Sequence, residues 1–82
     1  MKQRKKALGT MNGVGGRITE IRLSKGIKQK ELIAMLQTDG VDINPSSLSK
    51  LEGQTRRVTD RELRAIAKVL RVSVGALFAD GD

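Results

Sequence analysis

The apolar residues of this chain recur at spacings of three and four in short runs, and each run is bounded by a glycine or a capping signal. Ile18 and Ile21 lead to Leu23 and Lys25 before Gly26; Leu32, Ile33 and Leu36 share one face of a run from Lys28 to about Gln37, before "TDG". That spacing is the stripe of an amphipathic helix, and glycine supplies the residue on which helices commonly end. Asn44 followed by Pro45 opens a third helix, because proline has no amide hydrogen to lose in a first turn, and Leu48 and Leu51 then face inward before Gly53. Thr59 with Glu62 is a capping box in front of Leu63, Ile66, Ala67 and Leu70. Ser73 caps a short fifth helix carrying Leu77 and Phe78. No alternating strand pattern and no internal repeat interrupts the series. The expectation is an all-α domain of five short helices, which at this size buries only roughly 60% of its unfolded surface.

Composition narrows the function. The chain has no Cys and no His, which removes disulfides and the usual zinc ligands, so no metal, cofactor or small-molecule ligand is expected. Glu31, Glu52 and Glu62 fall on separate helices, no nucleophile has a histidine base, and Gly13, Gly15 and Gly16 lack the strand and the Lys-Ser/Thr pair of a phosphate loop. An enzyme is not expected. Lys and Arg number 16 against 9 acids, a net charge of +7, so the natural partner is a polyanion, nucleic acid ahead of a membrane surface. RNA is disfavoured because Phe78 is the single aromatic, and stacking platforms need several. No run approaches the roughly 18 apolar residues of a membrane span, and the chain reads as soluble and cytoplasmic. Lys2, Arg4, Lys5 and Lys6 put four positive charges and no acid in the first sixteen residues, which end in "NGVGG". Residues 1–16 are therefore expected to be a flexible basic arm, and residues 17–82 the folded domain.

From about Arg17 to Phe78 the chain resembles the Cro/repressor-type (C1/Cro-like) helix-turn-helix family. The likeness is carried by "RITEIRLSKGIKQKEL", with Ile18, Ile21, Arg22, Ile27, Gln29 and Leu32; by "SSLSKLEGQ", with Leu48, Leu51, Glu52 and Gly53; and by "LRAIAKVLRVSVGALF". The resemblance implies a lambda-repressor-like domain whose third helix, about 44–52, enters the DNA major groove while the second crosses the backbone. It makes Asn44, Pro45, Ser46 and Lys50 candidates for base contact, Lys50 through guanine O6 and N7. Lys28, Gln29, Ser47, Arg56 and Arg57 become candidates for phosphate contact, the guanidinium groups being suited to gripping phosphate without reading sequence. Arg22 and Glu52 match a structural pair that bridges the first helix to the end of the third. Val74, Leu77 and Phe78 offer a dimerisation face. The implied protein is a prokaryotic or phage-encoded, nucleoid-associated regulator, a repressor, bound as a homodimer to a palindromic double-stranded operator. The alternative is a protein-interaction module, such as an antitoxin or adaptor, on the same fold. Two departures touch one junction: the connection "QTDGVDI" is longer than the tight turn that names the motif, and Ile33 stands where the family usually has alanine. Val41 and Ile43 are expected to tuck under that longer connection.

Overall fold

A computed structural model describes residues 8–78. Within them the chain forms four α-helices, α1 (Gly15–Ser24), α2 (Gln29–Thr38), α3 (Pro45–Glu52) and α4 (Asp60–Leu70), followed by a single 3₁₀ turn, Gly75–Leu77. The expected fifth helix is that turn: Ser73 Oγ accepts from the Ala76 N–H at 3.2 Å, but the segment is too short to close α-helical bonds. α3 packs against both α1 and α2, α2 also packs on α4, and the 3₁₀ turn lies on α1. Ile18, Leu32, Leu36, Leu48, Leu51, Ile66, Leu70 and Leu77 are fully buried and form the centre of the core. Leu23 falls off the first stripe and is exposed.

The helix ends follow one rule. Each helix closes with a paired backbone motif in which a residue at or just after the cap adopts left-handed φ, donating to a carbonyl three back while its successor donates five back. Gly26 and Gly40 do so at no steric cost, at φ 70° and 88°. In the second case the Val41 N–H reaches the Leu36 carbonyl at 2.9 Å, which turns Val41 back onto the core. Val41 and Ile43 are both buried, so the long connection from Asp39 to Asn44 is anchored by its own apolar residues. Ile33 is buried as well. At α3 and α4 the same conformation falls on Gln54 and Arg71, at φ 62° and 61°.

The N-terminal part differs from expectation. α1 begins at Gly15 rather than Arg17, and residues 9–14, expected to be flexible, run as a strap across the end of α3. Asn12 supports the entry to α1 from two residues ahead of its N-cap Val14, its Oδ1 accepting from the N–H groups of Val14 and Gly15 at 2.9 and 2.8 Å. Val14 is buried in the core. A Cβ at Gly15 would overlap the Leu51 carbonyl oxygen, so this glycine lets the start of α1 and the end of α3 approach closely. Lys2, Arg4, Lys5 and Lys6 lie outside the described residues.

Candidate nucleic-acid interface

α3 presents its first turns outward. Asn44 is its cap, with Oδ1 accepting from the Ser47 N–H at 2.7 Å, and Pro45 occupies the first helical position. Asn44, Pro45, Ser46, Ser49 and Lys50 are all exposed, and Ser47 is half-buried. Among the described residues no hydrogen bond engages the side chains of Ser46, Ser49 or Lys50. These three stand at spacings of three and four and share one face. Ser49 was missed in the sequence, although the helical repeat from Ser46 points to it. Asn44, a candidate base reader, spends its carbonyl oxygen on the cap and keeps only its amide NH₂ for a ligand.

The far end of α3 is tied down by buried polar groups. Arg22 and Glu52 are both buried and form a two-pronged pair, Nε to Oε2 at 2.9 Å and Nη2 to Oε1 at 3.1 Å. The third guanidinium nitrogen, Nη1, donates to the Ile27 carbonyl at 2.8 Å. Gln29 Nε2 donates to Glu52 Oε1 at 2.9 Å. Among the described residues no buried side-chain nitrogen or oxygen lacks a partner, the condition under which a buried ion pair is tolerated. Gln29, a candidate for phosphate, is thus a brace between α2 and α3.

Arg56, another candidate for phosphate, is likewise engaged within the fold. Its Nη1 and Nη2 grip both oxygens of Glu62 at 3.0 and 2.9 Å, and its Nε donates to the Ser47 carbonyl at 3.3 Å. Glu62 meanwhile closes the capping box of α4, accepting from the Thr59 N–H at 3.0 Å, while Thr59 Oγ1 accepts from the Glu62 N–H at 3.1 Å. The Arg56 guanidinium holds the Glu62 carboxyl below its ordinary value, against the opposing effect of partial burial and with help from the Thr59 N–H. With Nη1 donating also to the Arg57 carbonyl at 2.6 Å, the guanidinium is engaged by one carboxylate and two backbone carbonyls and braces the loop. Arg57, the next residue, is exposed. Lys28 is exposed too; its backbone N–H donates to Glu31 at 2.8 Å and its carbonyl accepts from the Leu32 N–H at 3.0 Å.

The dimer candidates divide. Leu77 is fully buried and closes the core against α1, which takes it out of any contact with a second chain, whereas Val74 is 38% exposed and Phe78 41%. Phe78 lines an open groove with Met11, Val58, Leu63 and Arg57. Met11, itself 49% exposed, enlarges the apolar surface beyond the two residues that remain.

A short helix held across its neighbour by a buried pair, with its other end capped and bare, defines a small helix-turn-helix domain. A helix-turn-helix family model matches residues 18–77, and the chain belongs to that Cro/C1-type family. The family is one of DNA-binding domains typical of transcriptional regulators and not an enzyme family. Comparison with curated proteins and with solved structures finds no match. Among the described residues no helix is long and apolar enough to cross a membrane.

Proposed function

We propose that this protein is a sequence-specific regulator, acting as a repressor, that binds a two-fold symmetric operator as a homodimer with α3 in the major groove. The observation that carries the reading is the unengaged face of Ser46, Ser49 and Lys50 on a helix whose opposite face is wholly buried. Lys50 donates to guanine O6 and N7, the serine hydroxyls donate or accept at several base edges, and small side chains let the helix approach closely. Lys28 and Arg57 are exposed, and Ser47 stands at the start of the helix; these contact phosphate and set the position of α3 on the duplex. Val74 and Phe78, with Met11, form the contact between the two copies.

Selection of bound sequences from a random duplex library, followed by a salt titration of the best site, tests this. An enriched palindrome is expected, with half-site centres about 10 to 10.5 base pairs apart or a multiple of that spacing. Salt-sensitive binding with no enriched motif would overturn sequence specificity. Absence of binding would favour the protein-interaction reading.

A further inference from the structure

Arg61, Arg64, Lys68 and Arg71 stand three, four and three residues apart along α4 and its C-cap, share one face, and are all exposed. Like charges at those spacings repel one another along a helix. In the first turn, where Arg61 lies, the helix dipole disfavours a cation as well. The stripe therefore works against the helix that carries it. Arg71 adds to this, since it closes α4 at φ 61°, a conformation that favours glycine. Relief within the fold is partial. Lys68 Nζ meets Asp39 Oδ1 at 2.8 Å, and Arg61 Nη2 donates to the Gly40 carbonyl at 3.1 Å. Among the described residues the guanidinium groups of Arg64 and Arg71 have no hydrogen-bond or ion-pair partner.

The stripe edges the seam where α4 packs on the end of α2. Two shallow grooves lie along this seam and meet at the Lys68–Asp39 pair, which lines both. On one side of the pair the floor is Val41 and Ala65, both buried, under a rim that carries Arg61 and Arg64. On the other side it is Met35 and Val69, half-buried, with Arg71 at the rim. We propose that this seam docks an acidic amphipathic helix of a partner protein, whose carboxylates meet Arg64 and Arg71 and whose apolar side chains lie on the two floors. Arg61 to Arg71 spans about 15 Å of helix, over which a facing helix repeats carboxylates at the same three- and four-residue spacing. Charge complementarity selects an acidic occupant. Asp39 and Asp60 select protein over nucleic acid, because they stand among the cations and repel an unbroken line of phosphates, whereas a helix can place neutral or basic side chains opposite them. The Lys68–Asp39 pair also lies at the far end of α2 from Lys28, the length of the helix away.

The test begins with selection of binders by the full chain from a displayed library of random helical peptides. Each enriched peptide is then titrated against the parent and against the chain with Arg64→Gln and Arg71→Gln. Enriched peptides are expected to carry Asp or Glu at three- and four-residue spacing beside an apolar stripe. They should bind the substituted chain roughly two- to thirtyfold more weakly, the loss of two exposed ion pairs. No enriched peptide, binders without the acidic pattern, or equal affinity for the two chains would overturn the proposal. Because the substitutions remove like-charge repulsion, the urea midpoint of the substituted chain should be no lower than the parent's. A lower midpoint would mean that the stripe serves the fold, and would overturn the proposal too. With a DNA duplex, the slope of log affinity against log salt should be the same for both chains. A slope reduced by about 0.9 per lost contact would assign the stripe to phosphate and overturn the protein partner. The peptide titration decides the matter even for a chain that binds no duplex, so failure here and failure of the DNA-binding reading are told apart.

Discussion

The two ends of α3 are held by different physics. At the C-terminal end, Glu52 receives Arg22 and Gln29 in a buried network, while Asn12 and Gln54 tie the strap to the same turn. At the N-terminal end a single cap bond from Asn44 and the burial of Ile43 and Leu48 hold the helix, with Arg56 reaching the Ser47 carbonyl from the side. Buried charge is tolerable only when every donor and acceptor is matched, so the first end has one geometry available to it. The second end leaves the side chains of Asn44, Pro45 and Ser46 exposed. A helix fixed at one end and bare at the other aims a small set of side chains without spending them on the fold.

The sharpest way to break this contrast is to remove Glu52. Glu52→Ala leaves Arg22 buried and unpaired and should destabilise the fold by about 3 to 5 kcal/mol, a large part of the about 5 to 15 kcal/mol available to a domain. Urea unfolding reads this directly, and a midpoint equal to the parent's would remove the network from the account. At the other end Asn44→Ala should lose about 1 kcal/mol, the usual value of a helix cap. If Asn44→Ala proves as damaging as Glu52→Ala, the two ends are not held differently.

A smaller effect sharpens the picture at the loop between α3 and α4. Because the folded-state pKa of Glu62 lies below its ordinary value, the pair with Arg56 contributes stability above that ordinary value. The contribution is lost as pH falls through the depressed folded-state pKa. Glu62→Gln should therefore be less stable than the parent at neutral pH and should show a smaller stability loss on acidification. Parallel curves of stability against pH for the two chains would show that the brace contributes nothing.

Much of this fold was legible because helix periodicity and capping are local. The stripe of α4, the Asn44–Pro45 start and the Thr59–Glu62 box could be placed from a few neighbouring residues. What was not legible depended on residues far apart in sequence. "NGVGG" reads as a flexible hinge until Leu51 and Gln54 are brought against it, some forty residues later in the chain. Arg56 and Arg57 are indistinguishable as adjacent cations, and only the position of Glu62 on the next helix separates the brace from the exposed side chain. Leu77 and Phe78 likewise divide between core and surface once a 3₁₀ turn replaces the expected helix. The exposure of Asn44, Pro45, Ser46 and Lys50 on α3 could be read in advance, since an eight-residue helix with two buried leucines leaves little choice of which side chains point away, although Ser49 was missed.

The central claim is that the exposed face of α3, which carries Lys50, reads bases while the neighbouring loop grips phosphate, and a comparison of Lys50→Ala with Arg57→Ala on a panel of related duplexes tests it most directly. Lys50→Ala should weaken the best site by about 1 to 3 kcal/mol, relax preference at one base pair in each half-site and leave poor sites nearly unchanged, because a base contact is not made on the wrong sequence. Arg57→Ala should weaken every duplex by a similar factor and lower the slope of log affinity against log salt by about one unit. If Lys50→Ala instead weakens all duplexes equally, α3 does not read bases through this face and the account is contradicted.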